Sequence, residues 1–323
     1  MNGAAPCWAL SDGKPGMLNQ CLGLAEAVGV EFVVKTVRPL LPWRVLPPHL
    51  WLAPLSAPGP SGDQLVPPWP ELLIATGRPT VALSLAIKRA SRGRTFTVQI
   101  QNPTRALSRF DLVAAPRHDN LVGDNVIVTE GAVHRVTAER LAEEAERFRP
   151  LLQDLPRPLV AVLIGGSNRQ YRFTRDAAQR LADGLARLGQ RHGAGLAITT
   201  SRRTGEENER LLREALGGRD VYFWDGSGDN PYFGFLGLAD AIVATSDSVS
   251  MVSEACSTGK PVYIFDPEGG SDKFRRFHLN LRQAKMTRPF TGDLESWSYD
   301  PLDDTGRVAR EVHRRMRRSA TGD

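Results

Sequence analysis

The chain has 323 residues, 41% of them hydrophobic and 24% charged, with a formal net charge of +5. That is ordinary composition for a globular protein, long enough for two cores of about 150 residues each. No apolar run approaches the ~18 residues of a membrane span, and residues 1–10 carry neither a basic start nor a long apolar stretch, so neither a membrane span nor a secretory signal is expected.

The basic balance rests on 35 arginines against 6 lysines, without any nucleic-acid-binding motif, so no nucleic-acid partner is expected. Cys7, Cys21 and Cys256 stand far apart in apolar surroundings and read as buried, reduced thiols. There is no Asp-x-Asp and no His/Asp/Glu set at metal spacing, so neither a dedicated metal nor a cofactor is expected. The Gly-x-Ser-x-Gly elbow of serine hydrolases is also missing.

Residues 7–10 read as a first strand, followed by the turn from Ser11 to Gly16 and helical spacing at Leu18, Cys21, Leu22, Ala25 and Val28. Residues 31–37 form the next strand. Residues 39–70 hold ten of the 23 prolines and read as an irregular excursion packed down by Trp43, Trp51 and Trp69. Strands follow at Leu72–Thr76, Phe96–Ile100, 112–115 and Val126–Thr129, with a helix running through Arg92 and a charged helix over 137–153.

Pro150, Pro156 and Pro158 mark a boundary, after which the pattern restarts. Leu159–Ile164 is a fully apolar strand, Thr174 caps a helix, and strands are predicted at 196–199, 221–224, 241–244 and 261–265. A helix lies over 249–257, and a basic amphipathic one over 303–318. Strands alternating with helices give parallel sheets, and the restart gives two of them. The expectation is an α/β protein with two Rossmann-like domains, 1–153 and 157–290, facing across a cleft in the GT-B manner, the C-terminal helix 303–318 joining the first.

Ligands of open parallel sheets bind at the carboxyl ends of strands. In the first half those positions hold Asp12, Lys14, Gly16, Arg78, Asn102, Arg117, His118 and Asp119. In the second half they hold Gly165, Gly166, Ser167 and Asn168, then Arg202 and Arg203, then Ser246, Asp247, Ser248 and Ser250. Glycines allow close approach of backbone amides, arginines grip phosphate, and helix N-termini favour anions. Gly165–Asn168 follows a strand and precedes a helix, yet matches neither GxGxxG nor a Walker loop. Glu254, two turns into its helix, is placed to bind ribose hydroxyls or to sit on the surface. Asp12, His118 and Asp119 are the candidate general bases, His118 alternatively a phosphate donor. His49, His134, His192, His278 and His313 have no motif and are expected mostly on the surface. Arg307, Arg310, Arg314, Arg315, Arg317 and Arg318 read as a solvated helix end or as a contact for acidic lipid headgroups.

The segments Trp8–Gly16 with Asn19 and Gln20, Ile164–Ser167, Thr199–Thr204, Asn230–Tyr232, Ala244–Ala255 and Gly259–Val262 together resemble the bacterial branch of the mitochondrial-fission "elongated mitochondria" family over nearly the whole chain. The resemblance implies two alternatives beside each other: bacterial members have been read as nucleoside-diphosphate-sugar epimerases, whereas the plant member acts in organelle division at the mitochondrial surface. The family in turn resembles GT-B glycosyltransferases, above all the N-acetylglucosaminyltransferase that makes lipid II. This implies that Gly165–Ser167 opens the nucleotide-sugar side and that Glu254 holds the donor ribose. The Asp12–Gly16 loop replaces that enzyme's glycine-rich, histidine-bearing acceptor loop, which leaves the base and the acceptor open.

The expected function is metal-independent transfer of a sugar from a nucleotide sugar to an acceptor, lipid-linked or phosphorylated. Lys14, Arg78, Asn102 and Arg117 would hold the acceptor. An epimerase on the same scaffold and a non-catalytic scaffold for protein or membrane contact are the alternatives. The expected location is cytoplasmic, with peripheral contact at the inner membrane face as a variant.

Overall fold

A computed structural model describes residues 6–218 and 220–321. The first five residues of the 1–10 stretch considered as a signal lie outside the described residues. Two compact units divide the chain: unit 1 runs to Arg135 and resumes at Asp303, and unit 2 is Val136–Leu302.

Unit 1 opens with β1 (Cys7–Ser11), α1 (Pro15–Val28) and β2 (Phe32–Thr36). It continues with β3 (Leu72–Thr76), α2 (Arg78–Ala90), β4 (Phe96–Ile100), β5 (Leu112–Pro116) and β6 (Val126–Thr129). The six strands form one parallel sheet in the order β2-β1-β3-β4-β5-β6. The inner strands β1, β3, β4 and β5 are buried at every residue, whereas the edge strands β2 and β6 are half open. Such strands are largely apolar because helices cover both faces of a parallel sheet. Chain order reverses between β1 and β3, so the loops at Asp12 and Gly77 meet there.

α1 starts on Pro15 and stops at Gly29, whose left-handed backbone (φ 72°) lets its N–H reach the Ala25 and Glu26 carbonyls. The proline-rich excursion after β2 is held by its tryptophans. The Trp43 indole donates to the Leu52 carbonyl (2.9 Å), the Trp51 indole to the Leu46 carbonyl (3.1 Å), and Trp69 meets Trp8 edge to face.

Unit 2 contains α3 (Ala138–Leu152), β7 (Leu159–Ile164), β8 (Tyr171–Arg172), α4 (Arg175–His192), β9 (Gly195–Thr200) and α5 (Glu206–Leu216). There follow β10 (Val221–Phe223), α6 (Tyr232–Leu238), β11 (Ala241–Thr245), α7 (Val249–Cys256) and β12 (Val262–Phe265). β13 (Glu268–Gly269), α8 (Asp272–Gln283) and β14 (Thr287–Pro289) complete it. The parallel sheet runs β10-β9-β7-β11-β12-β14. Counted within the unit this is the Rossmann order 3-2-1-4-5-6, with its reversal between β7 and β11.

The first domain was expected to run to residue 153, but α3 packs in unit 2. Its Ala145, Phe148 and Leu152 join the core under β7, and Gly234 and Gly237 let α6 lie directly on it. A Cβ on Gly237 would overlap the Leu141 carbonyl. The chain then returns to unit 1 as α9 (Asp304–Thr321). Val308, Ala309 and Val312 pack there with Cys21, Leu24 and Val28. Asp304, fully buried, accepts the Gly131 N–H (2.7 Å), and the Thr305 hydroxyl bridges the N–H and carbonyl of His134. His134 is itself buried, and burial lowers its imidazole to about 4, against the expectation of a surface histidine.

The three cysteines are free and buried. Among the described residues no helix is long and apolar enough to cross a membrane.

Candidate functional site

At the β7–β11 reversal two loops leave neighbouring strand ends, and a single carboxylate ties them together. Gly165 N–H donates to the Thr245 hydroxyl oxygen (2.8 Å), and that hydroxyl donates to Asp247 Oδ1 (2.6 Å). Asp247 Oδ2 accepts the Gly166 N–H (3.0 Å) and the Arg203 guanidinium (2.8 Å). The Asp247 side chain has no exposed surface, while that of Arg203 is 40% exposed. Ser167 N–H donates to the Arg203 carbonyl, and Asn168 donates its carboxamide N–H to the Asp247 carbonyl. Ser201 and Thr204 hydroxyls both donate to the Gly165 carbonyl. The glycines are required by packing: a Cβ on Gly165 would overlap the Asp247 carboxylate, and one on Gly166 the Arg203 carbonyl.

The Gly165–Asn168 loop follows a strand and precedes a helix capped by Thr174, as expected. Between the two the chain turns through Asn168 into the ribbon of β8 with β13, and α4 begins at Arg175. Its amides go to Thr245, Asp247, Arg203 and Tyr171. The loop is thus a stiff wall, with Asp247 as its structural centre.

Beyond that wall stand the groups still able to meet a ligand. Ser248 caps α7, its hydroxyl accepting the Met251 N–H, and the first-turn amides of a helix lack intrahelical partners. Ser250 is half-buried in that turn, and Arg202 is exposed beyond β9. Ser246 is buried, its carbonyl bound to His278 Nε2 (2.8 Å). Burial lowers the His278 imidazole below its ordinary value.

Glu254 faces inward from the second turn of α7 and is only 8% exposed. Its Oε2 accepts the Tyr232 hydroxyl (2.6 Å) at the start of α6. Burial pushes the Glu254 carboxyl up to about 7, and the Tyr232 bond opposes that rise. Burial and the neighbouring carboxylate also hold the Tyr232 hydroxyl well above its usual range. Sequence reading missed Tyr232, Thr245 and His278. Asn230–Tyr232 was visible as a motif, but nothing local links Tyr232 to a glutamate 22 residues away.

The residues expected in unit 1 are brought together only in part. Lys14 and Asp12 form an ion pair (2.5 Å) after β1, and Gly77 lies against Asp12 across the β1–β3 reversal. Gly16 sits in the first turn of α1 with open space around it, and Arg78 is exposed at the first residue of α2. Asn102 spends its carboxamide oxygen on the Thr104 N–H of its own turn (2.7 Å). Arg117 is engaged by both oxygens of Glu130. His118 is enclosed, with Asp119 Oδ1 3.9 Å from its Nε2. Asp12 and Lys14 therefore set a negative and a positive charge side by side after β1.

The fold defines the class first. Over 95% of its length the chain superposes on 99% of the UDP-GlcNAc 2-epimerase of Methanocaldococcus jannaschii in complex with UDP-GlcNAc and UDP, with a TM-score of 0.53 and 10% identity. That likeness is one of fold: α/β, built of two parallel six-stranded sheets, GT-B-like. Residues 15–316 match the family described as Mitochondrial fission ELM1, and the chain belongs to that family, as its motifs implied. The Mitochondrial fission protein ELM1 of Arabidopsis thaliana is 37% identical over 274 residues, covering 76% of this chain. The match spans 64% of that curated relative, less than two thirds of its length. An uncharacterized protein of Rickettsia prowazekii (strain Madrid E) is 26% identical, with 94% of this chain and 97% of the relative covered.

Proposed function

We propose that unit 2 binds a nucleoside diphosphate sugar at the β7–β11 reversal and that the sugar passes to an acceptor held by unit 1. The observation that carries this reading is Glu254: an enclosed carboxylate on the helix after the reversal strand, one of its oxygens held by the Tyr232 hydroxyl. The diphosphate falls to Arg202, to the Ser248 and Ser250 hydroxyls and to the first-turn amides of α7, since Asp247 already occupies Gly166 and Arg203. On the acceptor side Lys14 and Arg78 supply positive charge, and Asp12 takes the proton of the attacking hydroxyl. His118 is too enclosed for that role in this conformation. The leaving diphosphate is stabilised by cations and helix amides, without a dedicated metal.

The fold likeness to a UDP-GlcNAc 2-epimerase supports a second reading, epimerisation of the nucleotide sugar on the same site. Product analysis separates the two: epimerisation needs no acceptor and returns an intact nucleotide sugar. For the binding step itself, calorimetric titration with UDP and UDP-GlcNAc is the test. Glu254→Ala should weaken binding by about 1–3 kcal/mol, as for a lost hydrogen bond to a charged group. Unchanged affinity in a folded variant removes Glu254 from the site.

A further inference from the structure

Unit 1 holds a cavity of about 170 Å³ beneath the proline-rich excursion. Its floor is apolar: Trp51 from the excursion and Val81, Ala82 and Leu85 from α2. Its rim carries Arg89, Arg105, Arg109 and His49, and no carboxylate lines it. None of the three guanidiniums makes an ion pair or hydrogen bond among the described residues. This sets them apart from the basic α9, where Arg307 pairs with Asp304, Arg310 with Asp303, and Arg314 and Arg315 with Glu311. Three uncompensated guanidiniums around one concavity repel each other and call for an anion with several acceptor oxygens.

A second observation says what carries that anion. Leu50 and Leu52, flanking the lining residue Trp51, are 53% and 84% exposed. They are not loose. The Leu52 carbonyl is bound by the Trp43 indole, and the Trp51 indole is bound to the Leu46 carbonyl. The excursion is pinned so that leucines project into solvent beside a cationic hollow. Leu41 and Val45 of the same excursion are also exposed. Apolar side chains set next to arginines match the boundary between phosphate headgroups and acyl chains.

We propose that this face of unit 1 docks on an anionic phospholipid surface, a lipid phosphate seated against Arg89, Arg105 and Arg109 while Leu50 and Leu52 enter the acyl boundary. The contact is separate from the nucleotide reading and stands whether or not unit 2 binds a nucleotide. It also differs from the sequence expectation, which assigned membrane contact to the C-terminal helix.

Co-sedimentation of the full chain with vesicles tests it. The chain should sediment with phosphatidylcholine vesicles containing phosphatidylglycerol, not with phosphatidylcholine alone, and should be released as salt screens the attraction. Arg89→Ala, Arg105→Ala and Arg109→Ala together should weaken binding roughly a hundredfold, from the attraction each basic residue contributes near an anionic surface. Leu50→Ser with Leu52→Ser should weaken it about tenfold. Arg310→Ala should leave it unchanged. Because all five substituted positions are exposed, melting curves should match the wild type; if the triple variant melts early, Arg105→Glu alone should still abolish sedimentation. Failure of the wild-type chain to sediment, or wild-type sedimentation of the arginine variants, overturns the proposal. A thermal shift with glycerol phosphate that needs the three arginines, without vesicle binding, also overturns it, because the pocket then serves a soluble phosphate ester.

Discussion

Burial raises the Glu254 carboxyl to about 7, from an ordinary 4.5, and the hydroxyl donated by Tyr232 pulls in the opposite direction. Because the folded value lies above the unfolded one, the stability linked to this group is complete below about pH 4.5 and lost as pH rises through about 7. A ribose that donates to the carboxylate reverses the preference, since it needs the ionised form. Nucleotide affinity should therefore grow as pH rises through 7 and fall about tenfold per unit well below it. Tyr232→Phe should shift that profile to higher pH. Calorimetric affinity that ignores pH between about 6 and 8 would contradict it. Asp247 teaches a different lesson. A polar residue after a strand end reads as a ligand contact, yet this one faces inward to Thr245, Gly166 and Arg203. The sequence shows that a carboxylate is present, but not that the ends of β11, β7 and β9 each offer it a donor. Asp247→Ala should cost about 2 kcal/mol in urea unfolding, the partial exposure of Arg203 keeping the loss moderate. A change below about 0.5 kcal/mol would show the network to be incidental.

At the scale of elements, what could be read and what could not have one physical cause. β1, β3, β4, β5, β7, β11 and β12 are buried along their whole length; all but β4 were visible as largely apolar runs, and β4 alternates Phe96, Val98 and Ile100 with Thr97 and Gln99. β14 is Thr-Arg-Pro and β13 is Glu-Gly, and neither carries a pattern, since each joins its sheet through backbone bonds at an edge. α6 escaped notice because glycines at 234 and 237, which lower helix propensity, are what allow it to lie on α3. α8 hides its helical period behind charge, burying only Phe277 and Leu281 fully. Gly237→Val should push α6 away from the Leu141 carbonyl and lower stability by about 1–3 kcal/mol, measured by chemical denaturation. A neutral substitution would mean that the α3–α6 contact is looser than its geometry indicates.

For the molecule as a whole, the proline-marked restart near residue 156 was legible, but the chain changes units earlier, between Arg135 and Val136. The apolar face of α3 serves the core under β7, and sequence cannot tell which sheet an amphipathic helix will choose. α9 crosses back and completes the core of unit 1 with Val308, Ala309 and Val312. A chain ending at Leu302 should lose amide protection in β1, α1 and β6 and keep it in β7 and β11; equal loss in both sheets would deny this division of labour. Whether the β7–β11 reversal of unit 2 holds a nucleotide is decided by thermal-shift titration with a panel of nucleoside diphosphates and their sugars. A ligand at a hundred times its dissociation constant stabilises by about 2.7 kcal/mol. The melting temperature should rise clearly with a nucleoside diphosphate or its sugar, and Glu254→Ala should reduce that rise at the same ligand concentration. A well-folded protein whose melting temperature moves with none of them would contradict a nucleotide site at that reversal.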